Sequence, residues 1–361
     1  MSVYRIFLRR AAFWLALAVV CVLSAEVAAR VEDRLRLGVG LLATPDHDRD
    51  LIVHDELGIR GRPNGIFKKW RLNSYGFRGP EITVAPLPGC TRVMVLGASE
   101  TFGLYESPDH EFPAQLREML GAYGCFEVLN GAVPGMTLRT LITYWKNWGS
   151  RFSPAIVIVY PTPAFYLANN PPDYPRAPSG PPPPGPPWWT PRIVDRAKDL
   201  IDLPEFVQRR RVAGWLASAP APPGGVFTAL PTERVDQFGS DLTTLTRLIS
   251  ATSARVILLT HATGFQFPPS QVDEDELNAW RVFVPKASAS LLLQFERRTA
   301  EVTKEIAADQ GATAVDIAST LDGHPEYFAG DYIHFNDRGA GEVARALAAA
   351  ILADAPQRPP H

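Results

Sequence analysis

From residue 92 onward the chain alternates between short apolar runs and longer stretches with one apolar face. "RVMVLG" at 92–97 is a nearly continuous apolar segment closed by glycine, the pattern of a strand buried on both sides. A helical stretch over about 109–122 follows, with Phe112, Leu116, Met119 and Leu120 on one face. "FEVLN" at 126–130 leads to a helix over 137–149, and "AIVIVY" at 155–160 gives a third strand. "ARVILLTH" at 254–261 supplies a fourth, a long helix over about 286–310 follows, and "ATAVDI" at 312–317 is a fifth. A helix over 337–353, rich in alanine and leucine, closes the series. Strands alternating with helices predict an α/β fold with a parallel sheet covered on both faces. This region spans 92–354 and is preceded by a polar, turn-rich extension over 43–91, where "LNSYGFRGPE" at 72–81 carries Gly76, Gly79 and Pro80 as turn markers.

The alternation breaks over about 165–240. "NNPPDYPRAPSGPPPPGPPWWTP" at 169–191 forms neither helix nor sheet and is expected to run as extended polyproline structure. Residues 192–217 read as two short helices broken at Pro204. With Trp188, Trp189 and Trp215, this insertion reads as a surface packed on the main domain, a lid over the active edge, or a surface resting on a membrane.

At the N terminus, Arg5, Arg9 and Arg10 precede "AAFWLALAVVCVLSAEVAA" at 11–29. A basic flank before an apolar run is a membrane-targeting pattern. The uninterrupted part, Ala11 to Leu23, is shorter than the roughly 20 residues a spanning helix wants, and small residues near Ala25 and Ala28 allow a cleavage site. The helical pattern nevertheless continues through "RVEDRLRLGVG", which favours an uncleaved anchor over residues 1–42. Both readings place the bulk of the chain outside the cytoplasm. Cys21 falls inside the apolar segment and reads as membrane packing. Cys90 and Cys125 precede two neighbouring strands at the edge away from Gly97, which predicts a structural disulfide, two buried thiols being the other reading.

Composition narrows the function. A formal charge of -2 over 361 residues lacks the concentrated basic face that nucleic acid requires. No His, Cys and carboxylate spacing suits zinc, and the turn at Gly97 lacks the glycine spacing of a phosphate or dinucleotide loop, so no metal and no cofactor are expected. What remains is side-chain chemistry. Ser99 lies just past the carboxyl end of the first strand, where open α/β sheets bind ligands, as either a helix cap or a nucleophile. A serine nucleophile needs a base, and the base needs an orienter. "GDYIHFNDRGAG" at 330–341 offers both, with Asp331 and His334 three residues apart before the final helix. His261 ends the fourth strand at the same edge and is the lesser candidate base, while Asp337 reads as the cap of the final helix.

Gly-x-Ser at 97–99, Asn-x-x-x-x-Gly at 130–135 and Asp-x-x-His at 331–334, in that order, resemble the blocks of the SGNH, or GDSL-like, hydrolases. The upstream "NSYGFRG" is similar to a segment that precedes the domain in membrane-associated bacterial members. The resemblance covers about residues 92–350. It implies a flavodoxin-like three-layer α/β/α sandwich and serine-dependent cleavage or transfer of acyl esters, with Ser99 as nucleophile, His334 as base and Asp331 as its orienter. Backbone N–H groups of Ser99 and Gly135 would form the oxyanion hole. Two departures stand out. Ala98 replaces the usual aspartate, and Pro163 or Ala164 falls where the family places an asparagine whose amide completes the hole. Losing such a donor typically costs about 2.7–4 kcal/mol of transition-state stabilisation. Thr162, Asn169 and Asn170 are the candidate substitutes, with His261 as a pocket residue. The expected activity is therefore an extracytoplasmic esterase or acyltransferase acting on an acyl ester, with an envelope polysaccharide as the expected carrier of the acyl group. A non-catalytic descendant that binds glycan or protein is the alternative.

Overall fold

The computed structural model describes residues 2–37, 40–42, 51–67, 70–168, 189–193, 225–270, 273, 277, 284 and 286–353. The chain divides into two compact units. One comprises Met1–Asp48 with Gly180–Arg210, the other Arg49–Ser179 with Arg211–His361.

In the first unit, helix α1 (Ser2–Leu37) is continuous. Its stretch Arg9–Leu35 is long and apolar enough to cross a membrane, a property that anchors and signal sequences share. Phe13, Trp14, Leu15 and Leu23 are exposed. The polar residues begin where that apolar surface ends, and they bind the short segment 189–193. Glu26 pairs with Arg30 at 2.6 Å and accepts the backbone N–H of Ile193 at 3.0 Å. Arg192, itself buried, donates to Asp33 at 2.6 Å and to the Gly40 carbonyl at 3.1 Å. Within this unit the described segment 189–193 of the insertion bonds to α1, while the described ends of the insertion, 165–168 and 225–240, belong to the second unit. The two helices expected over 192–217 lie outside the described residues, apart from 192 and 193.

The second unit opens with two hairpins that the sequence reading missed. Strands β1 (Ile52–Asp55) and β2 (Gly58–Gly61) form one, β3 (Ile66–Phe67) and β4 (Trp70–Arg71) the other. Gly61 and Gly76 approach so closely that a Cβ on either would lie 2.0 Å or less from the other's carbonyl oxygen, and Gly76 has φ 83°. Asn73 fixes the turn between them by accepting the N–H groups of Tyr75 and Phe77 and donating to the Pro80 carbonyl.

The main sheet is parallel and five-stranded: β5 (Thr91–Leu96), β6 (Phe126–Asn130), β7 (Ile156–Val159), β8 (Arg255–Leu259) and β9 (Thr313–Val315), in spatial order β6-β5-β7-β8-β9. Counted from β5 this is 2-1-3-4-5, the flavodoxin-like doubly wound order, whose switch point lies between β5 and β7. Side-chain alternation sorts the strands onto two cores. Met94, Leu96, Val157, Val159 and Leu258 face helices α4 (Leu138–Asn147), α5 (Thr232–Ser250) and α6 (Ala289–Asp309). Val93, Val95, Ile158, Ile257 and Leu259 face helices α3 (Phe112–Gly121) and α8 (Asp337–Ala353). Two short helices, α2 (Ser99–Phe102) and α7 (Ala318–Leu321), follow β5 and β9. Helix α5 begins inside the span expected to be an insertion, so the described core resumes by Thr232 rather than after 240.

Opposite edges of the sheet are held by different means. At the amino edge Cys90 and Cys125 are disulfide-bonded, with Cα atoms 4.5 Å apart, and Thr91 donates its N–H to the Cys125 carbonyl. At the carboxyl edge Arg78 reaches from the turn after β4, donating to the carbonyls of Phe102 and Gly103 at 2.6 Å each and pairing with buried Glu111 at 2.8 Å. Asn130 donates to the Thr101 carbonyl at 3.1 Å. These bonds satisfy the carbonyls that end α2 and so fix the turn that begins at Ser99.

Two outcomes are expected. Replacing both Cys90 and Cys125 by serine should lower the urea-denaturation stability of the unit by about 3–4 kcal/mol, since the cross-link closes a loop of 35 residues. Arg78→Met leaves Glu111 buried without its cation and should cost about 3–5 kcal/mol by the same measurement; a loss under about 1 kcal/mol would show that the pair does not hold the turn.

Candidate active site

Ser99 is the first residue of α2, and the capping position is Ala98, which has no side chain to offer. The cap reading is therefore corrected. The hydroxyl of Ser99 donates instead to Glu100 Oε2 at 3.2 Å. At the far end of the chain, in the loop before α8, His334 Nδ1 lies 2.6 Å from Asp331 Oδ2. Asp331 Oδ1 also accepts the backbone N–H groups of Ile333 and His334, at 3.1 and 3.0 Å, so the carboxylate both folds the loop and holds the ring. Tyr105 stands against the imidazole with ring centroids 5.0 Å apart. Nε2 of His334 is buried and has no hydrogen-bond partner among the described residues. The arrangement has an oriented base whose acceptor atom is uncommitted, while the serine proton points elsewhere.

The cap of α8 also differs from expectation. Asn336 accepts the N–H groups of Arg338 and Gly339, at 3.0 and 3.1 Å, and so takes the capping role expected of Asp337. Asp337 accepts the Ser107 N–H at 2.7 Å, tying the loop after α2 to the start of α8.

Gly135 lies in the loop after β6, at the same edge of the sheet, with φ 81° and open space where a Cβ would be. Thr162 follows β7, and its hydroxyl is 3.4 Å from both carboxylate oxygens of Glu100. Asn169 and Asn170 lie outside the described residues. His261 is 3% exposed: Nδ1 is 2.9 Å from Glu296 Oε2, while Nε2 makes no hydrogen bond among the described residues and lies 3.5 Å from Glu100 Oε1, a charge contact only. Tyr160 stacks on its ring at 5.3 Å. His261 thus has two carboxylate neighbours, both distant in sequence and delivered by other elements.

Glu100, 2% exposed, is the site residue the sequence reading missed. An acid in the first turn of a helix is ordinarily a solvated, dipole-stabilising residue, and "GASETF" gives no sign that this one is buried. Glu106 is also buried, and burial pushes its carboxyl up to about 7 against the opposing charge of Arg78. Burial alone would lower His261, but Glu296 and Glu100 outweigh it and push the imidazole up to about 10. Burial raises Glu100, and His261 more than reverses this, so the carboxyl is held below its usual range. For His334 burial again acts downward, and the Asp331 bond with the charges of Glu100, Asp331 and Glu106 raises the net value. A cavity of about 870 Å³ is lined by Thr263, Phe267, Glu296, Arg297, Asp322 and His324, among others; it includes none of Ser99, Asp331 and His334. Among the described residues no cluster of His, Cys and carboxylates suits a metal ion.

No family model and no curated protein matches the chain. Similar solved structures include LAE5, an α/β hydrolase from the metagenome of Lake Arreo, Spain, at 16% identity and TM-score 0.45, covering 72% of this chain and 94% of that one. Axe2, an acetylxylan esterase from Geobacillus stearothermophilus, is similar at 15% identity and TM-score 0.43, covering 71% and 92%. The lipase/acylhydrolase from Enterococcus faecalis is similar at 14% identity and TM-score 0.44, covering 75% and 100%.

If His334 acts as the base, it must be neutral to accept a proton. A raised imidazole value then places the acid limb of any Ser99-dependent pH–rate profile above the ordinary pKa of about 6.5, with activity rising towards higher pH. Asp331→Asn should depress the rate and move that limb downward, as measured by kcat/KM between pH 5 and 9.

Proposed function

We propose that the protein is an extracytoplasmic serine-dependent ester hydrolase or acyltransferase, tethered by α1, acting on an acyl ester of an envelope polysaccharide. The observation that carries the reading is the His334–Asp331 pair, 2.6 Å apart, whose free Nε2 stands at the sheet edge that also bears Ser99. In the proposed reaction the Ser99 hydroxyl turns from Glu100 to His334 Nε2. Ser99 Oγ then attacks the ester carbonyl carbon while its proton passes to that nitrogen, and Asp331 holds the resulting imidazolium. The backbone N–H groups of Ser99 and Gly135 receive the developing oxyanion. Collapse expels the alcohol, which takes the proton from His334 and leaves an acyl-serine. Water or an acceptor hydroxyl then repeats the sequence in reverse. Hydrolysis and transfer share every group up to the acceptor. Membrane attachment and the basic residues before the apolar run support an extracytoplasmic site, and the carbohydrate substrate rests on that compartment and on the resemblance of the motifs.

A second reading is favoured by one observation: the Ser99 proton is committed to Glu100 rather than to His334, as in a site that binds an ester or glycan without cleaving it. The two readings separate in an assay of p-nitrophenyl acetate hydrolysis by the full-length protein in detergent. The enzyme reading expects turnover that Ser99→Ala and His334→Ala each reduce by about three orders of magnitude or more. Equal slow rates in wild type and Ser99→Ala, with no acyl transfer to oligosaccharide, would replace it by the binding reading.

A further inference from the structure

The group that holds the Ser99 hydroxyl is itself held. Glu100 Oε2 accepts from Ser99 at 3.2 Å, and Oε1 lies 3.5 Å from His261 Nε2. Glu296, from α6, bonds the opposite nitrogen of the same ring at 2.9 Å, and Tyr160 lies flat against it with an interplanar angle of 21°. Two carboxylates share one imidazole, and all three side chains are at least nine-tenths buried. With the ring protonated the group carries one net negative charge, next to the one hydroxyl that the proposed reaction requires.

A buried ion pair is weak evidence of a stabilising role, since apolar residues often replace one at no cost, and this one is placed where it touches Ser99. Glu100 is poorly suited to take the serine proton: the imidazole beside it keeps the carboxyl ionised and weakly basic. Its charge does act on His334, which the negative field of Glu100 helps to raise. The groups facing His334 are Asp331 in its own loop, Tyr105 and Glu106 after α2, and Glu100 on α2; those facing His261 are Glu100, Glu296, Tyr160 and Asp322.

We propose that Glu100 is a positioning residue for Ser99: fixed by the His261–Glu296 pair, its carboxylate takes the hydroxyl in the resting site and, once the hydroxyl turns to His334, remains as the negative charge that stabilises the imidazolium formed there. This rests on the Ser99–His334 reading above. The proton passes from Ser99 Oγ to His334 Nε2, and Glu100 stays ionised throughout. Thr162, whose hydroxyl is 3.4 Å from both Glu100 oxygens, holds the same carboxylate from the side of β7.

The experiment is a pH titration of the histidine ring nitrogens by NMR in the full-length protein in detergent, for wild type, Glu100→Gln and Glu100→Asp. In wild type His261 is expected to stay protonated beyond pH 8; a midpoint near 6.5 overturns the proposal without any variant. In Glu100→Gln the His334 midpoint should fall by about 0.5–1 pH unit, a roughly three- to tenfold loss of proton affinity, and Glu100→Asp, which keeps the charge, should restore most of it. An unchanged midpoint in folded Glu100→Gln overturns the proposal. Where Ser99-dependent turnover is present, the acid limb of kcat/KM should move with the NMR midpoint. If wild type shows no such turnover, the esterase reading fails, while the two titrations still decide whether Glu100 acts on His334.

Discussion

The site depends on the charge balance around Glu100. Moving an ionised carboxylate from water into a protein interior costs several kcal/mol even after relaxation, and an unpaired one takes a proton instead. Here the compensation comes from His261, which would itself lose its proton on burial without a second carboxylate behind it. Glu296 supplies that carboxylate from α6. Each member is tolerable only because the others are present, and the three come from a turn after β5, the segment after β8 and the middle of a helix. The sheet order is what makes this meeting possible. Ser99 and Glu100 follow β5, Thr162 follows β7 and His261 follows β8, so three adjacent strands deliver their next residues to one edge.

The same edge is braced from below by residues with no chemical role. Arg78 and Asn130 bind the carbonyls at the end of α2, and Asp337 ties the following loop to α8. A four-residue helix has almost no intrinsic stability, because the cost of its nucleus is never repaid by propagation. Its geometry is therefore imposed by these bonds, through which the upstream turn at Arg78 holds the serine turn. At the opposite edge Arg92, fully buried, bonds the carbonyls of Val84, Ala85 and Phe152 and both carboxylate oxygens of Glu127. Together with the Cys90–Cys125 bridge it makes that edge rigid and chemically closed.

The doubly wound sheet was legible in the sequence because its strands are buried on both faces and therefore appear as unbroken apolar runs, with helices between them of clear period. Asp331 and His334 were legible because their contact is local, three residues apart in one loop. The hairpins at 52–61 and 66–71 were not, since strands of two to four residues are too short to carry an alternation that can be read. Helix α5 was hidden by its position after a proline-rich run, which drew the boundary of the insertion too far. Glu100, His261 and Glu296 were illegible as a group for a different reason. The contacts join residues 35 and 161 positions apart, and an acidic residue in a first helical turn, or in the middle of a helix with a charged face, looks solvated until the third dimension is known.

The missing asparagine changes meaning in this setting. An amide after β7 would donate to an oxyanion directly, whereas Thr162 in that region has its hydroxyl close to Glu100. A neutral amide and a hydroxyl turned towards a carboxylate do opposite things to the field at the reacting carbonyl: the first stabilises negative charge there, the second restrains a negative charge already present. In the proposed reaction oxyanion stabilisation falls to backbone N–H groups, with those of Ser99 and Gly135 as the candidates. Gly135 suits that task because φ 81° turns the peptide into a conformation that side chains resist, and the absence of a Cβ leaves room for a substrate against the backbone. In the proposed reaction the fixed charge of Glu100 opposes the oxyanion and favours the imidazolium, and the His261–Glu296 pair is what holds that charge in place.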